Sequence, residues 1–254
     1  VCPDIKANDS ELVSAVVCFK NQADWTIRCI RALALQEDVS LELFLVNNRS
    51  NANELRRVRE AVLAYKFPCK IIDYDAPFNF AHMHNRVVRE CAKGRYIFAL
   101  NNDVFLHHTK TLRDMAGWAQ FDWVGTVGIM LRYEYGAVQH SGFAARFGGQ
   151  SRLVRIGNAG DSAFACEDHE VFGNTFAACL MKRSTYESIG GLRELEMMNG
   201  FGDVVFNFEC LRRGLKNLCL GSHDATHLES ASRGLDYEYW EECALERKYP
   251  DILQ

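Results

Sequence analysis

The stretch YIFALNNDV at 96–104 decides the fold. Five apolar residues read as a strand, which stops abruptly at Asn101, Asn102 and Asp103. A carboxylate at the carboxyl end of a strand, beside amide side chains, suits a hard divalent cation that takes oxygen ligands and keeps positions for phosphate oxygens. Asp103 is the candidate ligand. An Asx turn leading into a helix near Thr109 is the competing structural reading.

Outward from this strand, apolar runs recur at 13–19 (VSAVVCF), 43–46 (LFLV), 70–72 (KII) and 124–129 (VGTVGI). Between them lie helical patterns, with Ile27, Ile30 and Ala34 on one face and Met83, Val87 and Cys91 on another. Strands alternating with amphipathic helices predict a doubly wound α/β sheet, mostly parallel. Such sheets bind ligands outside the carboxyl ends of their strands. Lys20, Asn21, Asn47, Asn48, Ser50, Asp73 and Asp75 all fall there. Each alone is ordinary turn chemistry; together they mark a candidate site. Past residue 130 the pattern turns to hairpins around 134–136, a strand near 176–182, a helix at 184–189 closed by Gly190 and Gly191, and a longer helix starting at Asp203.

Two further segments carry chemistry. In FGDVVFNFECLRRG (201–214) Asp203 is placed to cap a helix, and the same carboxylate at the mouth of a sheet can take a proton from a hydroxyl. In THLESASRG (226–234), a polar loop expected after a strand, His227 can complete the coordination of an oxygen-bound metal and Arg233 can grip a diphosphate in a forked geometry. A solvated His227 is the structural alternative, and His223 competes for its role.

Composition bounds the rest. The 254 residues are 48% hydrophobic and 24% charged with no Pro/Gly/Ser-rich linker, so one soluble domain is expected. A net charge of -4 argues against a general nucleic-acid binder. Ten cysteines without a C-x-x-C pair, several inside apolar runs, suggest a reducing, cytosolic setting. No 18-residue apolar span or export signal is expected to hold the chain in a membrane. G-x-G-x-x-G, G-x-x-x-x-G-K-[ST], G-x-S-x-G and H-E-x-x-H are all absent. A sugar-nucleotide pyrophosphorylase would need a Gly-rich loop after the first strand, where this chain has KNQADW.

Eight segments in register resemble glycosyltransferase family 2, especially its bacterial rhamnosyltransferase-like members. VSAVVCFKN (13–21), LFLVNNRS (43–50), PFNFA (77–81) and LNNDV (100–104) are similar to its opening strand, its base-receiving loop, its P-F-N-F segment and its variant D-x-D motif. AVQHSG (137–142), STYESIGGL (184–192), GDVVF (202–206) and HLESASRG (227–234) are similar to four later ones.

The resemblance implies an inverting, metal-dependent hexosyl- or deoxyhexosyltransferase of GT-A fold. The expected architecture is a Rossmann-like, mostly parallel sheet flanked by helices, with a small antiparallel extension. It implies one domain over 1–254, with a nucleotide-binding half to about 128 and an acceptor half beyond, open to being part of a longer protein. It assigns Asp103 and His227 to Mn2+ or Mg2+, and Asp203 to the general base. Phe19, Asn21, Asn47, Asn48 and Asp75 then face the nucleotide sugar, joined by Asn101, Asn102 and Arg233. His140 is a candidate donor or acceptor contact, with a structural role equally open. Expected partners are a UDP- or dTDP-sugar and a glycan or lipid-linked acceptor, in surface polysaccharide synthesis at or near the inner face of the plasma membrane. Asn47 replaces the usual Asp of the base loop, Gly202 the acidic residue before the base, and Val205 the second Asp of E-D-V-D. A nucleotide-sugar-binding domain without turnover is the alternative.

Overall fold

The computed structural model describes residues 11–146, 152–155, 163–228 and 239–248. Four strands come first: β1 (Val13–Phe19), β2 (Leu41–Asn47), β3 (Cys69–Asp73) and β4 (Tyr96–Asn101), all parallel, in the order β4-β1-β2-β3. Crossover helices α1 (Ala23–Ala34), α2 (Ala52–Val62) and α3 (Phe80–Glu90) connect them. Burial on both faces explains the continuous apolar runs of β1, β2 and β4, while β3 at the sheet's edge buries only Ile72. Val13, Ala15, Val17, Tyr96, Phe98 and Leu100 enter one core, whereas Val16, Cys18, Ile97 and Ala99 enter the other, as the two-residue period of a strand requires.

The second half extends the same sheet. After β4 come β5 (Val104–Leu106), α4 (Thr111–Ala119), β6 (Val124–Arg132) and β7 (Val138–His140). A separate hairpin pairs β8 (Phe143–Arg146) with β9 (Arg152–Arg155). Then follow β10 (Asp168–Val171), β11 (Ala178–Lys182), α5 (Arg183–Ile189), α6 (Gly202–Arg212), β12 (Lys216–His227) and α7 (Tyr239–Lys248). The full order is β10-β12-β6-β11-β4-β1-β2-β3, with β5 on β12 and β7 on β6. β11 runs antiparallel between β4 and β6, so a mixed sheet with a parallel half and an antiparallel part is the observed architecture.

Four local expectations need correction. The helix expected near Thr109 is α4, starting at Thr111, but β5 comes between it and Asp103, because pairing with β12 satisfies that backbone. Phe201, with φ 55°, holds the N-cap position of α6, so Asp203 lies inside its first turn and is not its cap. His227 ends β12 and does not stand in a loop. On α1, Ala34 is exposed, and Thr26, Cys29, Ile30 and Leu33 form the buried face. Among the described residues no helix is long and apolar enough to cross a membrane, and the nine described cysteines are free.

Candidate active site

Strand register builds the floor of the site. Phe19 pairs with Asn47, Asn47 with Asp73, and Cys18 with Asn101, so four strands end at one level. Asn47 is fully committed there: its Nδ2 donates to Asp73 Oδ1 at 2.8 Å and its Oδ1 accepts from the Ser50 amide at 3.0 Å. Asn48 Nδ2 donates to the carbonyls of Tyr74 (3.2 Å) and Ala76 (2.9 Å), fastening the loop after β3. Asn21, at φ 55°, accepts from the Asn51 amide at 2.9 Å and donates its own amide to Ser50 Oγ at 2.7 Å. Asn tolerates this left-handed conformation better than most residues. Asp75 is exposed and pairs with Arg49 at 2.6 Å. Asp73, singled out along the chain only as a polar strand end, is the carboxylate actually joined to Asn47.

Next to this floor sit Asp103 and His227. Asp103 is 6% exposed, and its Oδ1 lies 3.5 Å from His227 Nε2. Gln139 sets the imidazole: its Nε2 donates to the His227 carbonyl at 3.2 Å, which leaves its Oε1 facing His227 Nδ1 at 2.6 Å. Nδ1 therefore carries the proton, and in the neutral ring Nε2 turns a lone pair toward Asp103, with the Asn101 amide also 3.5 Å away. A carboxylate oxygen and an imidazole lone pair facing each other across a buried gap fit a shared cation. Among the described residues no group of three or more His, Cys, Asp or Glu side chains forms a metal cage. Two protein ligands match a cation such as Mg2+ that also takes phosphate oxygens and water. Asn102 Nδ2 donates to Thr26 Oγ1 at 3.1 Å and so braces the Asp103 turn on α1. Burial, and then the nearby Asp103 charge, push the Cys29 thiol far up, so it stays protonated beneath the turn.

Asp203 is linked to this point through the backbone of residues 174–177. Its Oδ2 accepts from the Phe176 amide at 3.3 Å, and the neighbouring Ala177 carbonyl accepts from Asn101 N at 2.9 Å. One residue earlier, the Thr175 amide donates to His140 Nε2 at 3.3 Å. Residues 174–177 thus tie Asp203, Asn101 and His140 together. A largely buried polar network fixes that segment: Asn207 Nδ2 donates to the carbonyls of Asp203 (2.7 Å) and Asn174 (2.8 Å), while Thr126 Oγ1 donates to Asn207 Oδ1 at 2.7 Å.

Of the residues expected from sequence, Asp103, His227 and Asn101 gather at one point, with Asp203 and His140 connected to it through 174–177. His223 belongs elsewhere, its Nε2 3.0 Å from Asp114 on α4. Arg233 lies outside the described residues. Gln139 and the 174–177 segment were missed as site residues. Gln139 stood inside a quoted motif, but nothing in NTFA marks its backbone as a bridge.

The mixed sheet, with a parallel half whose strands end in polar residues and an antiparallel part beside it, is the α/β fold of GT-A glycosyltransferases. Solved structures agree. The mannosyltransferase PcManGT of Pyrobaculum calidifontis, in complex with GDP-Man and Mn2+, superposes with a TM-score of 0.67 at 15% identity, over 92% of this chain and 61% of its own. GalNAc-T7 with UDP, GalNAc and Mn2+ gives 0.75 at 11% identity, over 95% and 49%. The chain belongs to glycosyl transferase family 2, whose model matches residues 14–190. It is 28% identical over 246 residues to the O-antigen biosynthesis protein RfbC of Myxococcus xanthus, covering 90% of this chain. It is also 31% identical over 162 residues, 62% of this chain, to the uncharacterized protein y4gI of Sinorhizobium fredii. In each case it spans 18% of the relative's length.

Proposed function

We propose that this chain is an inverting, metal-dependent glycosyltransferase domain that moves a hexosyl or deoxyhexosyl group from a UDP- or dTDP-sugar to a glycan hydroxyl in surface polysaccharide synthesis. The whole of 1–254 acts as one GT-A domain of a longer protein, with donor contacts from about 1–128 and acceptor contacts from about 129–254. It works in the cytoplasm or at the inner face of the plasma membrane.

The observation that carries this reading is the Asp103–His227 pair, 3.5 Å apart at the strand ends, with Asp203 tied to the same mouth through Phe176. Asp103 and His227 would hold Mn2+ or Mg2+, which offsets charge on the departing diphosphate. Asn47 and Asn48 shape the base-receiving loop, with Phe19, Asn21, Asn101, Asn102 and Asp75 serving the donor side and Arg233 assigned to the donor diphosphate. Asp203, in the first turn of α6, takes the acceptor proton as the hydroxyl attacks the anomeric carbon. Attack from the face opposite the leaving group inverts that carbon. His140, held by the Thr175 amide, orients the 175–176 turn toward the sugar.

A panel of UDP- and dTDP-sugars, assayed with Mn2+ or Mg2+ for transfer, tests this reading; transfer with retained anomeric configuration, or transfer unaffected by chelator, would sink it. The absence of carboxylates at Gly202 and Val205, the latter 1% exposed in an apolar cluster, favours one second reading, a donor-binding domain without turnover. Metal-dependent nucleotide binding with no transfer to any acceptor would select it.

A further inference from the structure

Residues 193–201, which lead into α6, are held from two sides by carboxylates. On one side Glu194 accepts from Asn85 Nδ2 and meets His82 Nδ1, each at 2.8 Å, while its carbonyl accepts from Asn79 Nδ2 at 3.0 Å. That side belongs to α3. On the other side Glu241 of α7, only 2% exposed, accepts from two consecutive backbone amides, Asn199 N through Oε1 and Gly200 N through Oε2, each at 2.8 Å.

A carboxylate this deeply buried is costly unless its oxygens are hydrogen-bonded, so the two amides specify where it rests. α7 is itself seated by Leu245, which packs with Met197, Val204, Val205 and Phe208. Gly200 leaves little slack, since a Cβ there would stand 2.9 Å from Glu241 Oε2. Phe201 follows in the left-handed region, and Asp203 comes two residues later. The position of the carboxylate on α7 therefore sets where α6 begins.

We propose that Glu241 is a positioning residue for the acceptor site, gripping the 199–200 amides so that Asp203 meets the incoming hydroxyl. This rests on the reading of Asp203 as the base. Glu241→Gln keeps the shape but presents one amide donor to a backbone N–H. A misplacement of about 1 Å costs on the order of 100-fold in rate.

The test measures transfer from a panel of UDP- and dTDP-hexoses to p-nitrophenyl hexosides and 6-deoxyhexosides, beside the Kd for UDP with Mn2+. For Glu241→Gln the expected result is kcat/KM for the acceptor down at least tenfold, with the UDP Kd within twofold of the parent. Gly200→Ala should show the same split more weakly, and Glu241→Asp should recover part of the loss. Parent-like acceptor kinetics in Glu241→Gln and Gly200→Ala would overturn the proposal, as would an equal loss of UDP binding, which is what a merely structural residue gives. If instead Asp203→Asn transfers at the parent rate, the base assignment fails and takes this proposal with it.

Discussion

The two halves of the mouth are built by different means. On the parallel side polar residues stand at or just past the strand ends, which register sets side by side, Phe19 beside Asn47 and Asn47 beside Asp73, so that short side-chain bonds can join them. On the antiparallel side Asp203 enters on a helix, His227 closes a twelve-residue strand with register shifts, and residues 174–177 tie Asp203 to Asn101 and His140. The parallel side is local chemistry repeated four times. The other is one arrangement assembled from distant segments, so single substitutions there should cost function without dismantling the donor side.

The largest expected effect tests this separation. Asp203→Asn keeps the side-chain shape but removes the proton acceptor, and transfer should fall roughly 10²- to 10⁴-fold, the usual worth of a general base. UDP binding with Mn2+, measured by calorimetry, should stay within twofold. Loss of both would show that the halves are not independent.

His84 probes the parallel side through stability. It is buried on α3 with Nδ1 2.9 Å from the Phe80 carbonyl, and burial, opposed by that carbonyl, pushes its pKa down to about 4 from 6.5. Between those values the unfolded chain binds a proton that the folded chain refuses, so stability is complete above about pH 6.5 and drains as pH falls toward 4. The loss is roughly 3 kcal/mol at 1.36 kcal/mol per unit. Thermal melts of His84→Leu should show a flatter profile across this window than the parent; identical slopes would remove His84 from the explanation.

Gln139 sharpens the comparison at the seam, because it holds His227 from β7. Gln139→Leu frees the ring to rotate, and loss of such an outer partner typically weakens metal affinity about 10- to 100-fold. Titration of Mn2+ in the presence of UDP reads that loss, with metal-free folding unchanged.

The smallest effect concerns Asn51, which caps α2 by accepting from the Glu54 amide at 3.0 Å and donates to Asn21. Asn51→Ala should cost about 1 kcal/mol. That corresponds to a melting point roughly 2–4 °C lower for a chain of this size. A drop in UDP affinity beyond twofold would show that the Asn21 turn depends on this cap.

Strands 13–19, 43–46 and 96–100 were legible because burial on both faces demands uninterrupted apolar residues, and the polar residues after them stood out by contrast. Asp103, Asp203 and His227 were legible through local motif and resemblance. Less visible was what each would do locally: β5 came between Asp103 and the expected helix, which starts at Thr111, Phe201 took the capping position expected of Asp203, and Asp73 joined Asn47 across the strand ends. Backbone pairing with a strand some 120 residues distant decided the first, and register across β2 and β3 the last. Neither leaves a mark within a short window.

By itself, the sequence determined which residue types stand at the ends of the parallel strands, since hydrophobic periodicity and its interruption are local properties of the chain. Only the tertiary structure decided that Gln139 turns His227 toward Asp103, that the Phe176 amide receives Asp203, and that Glu241 grips the turn before α6. Those are hydrogen bonds between segments tens of residues apart, whose directions exist only once the sheet has brought the segments together.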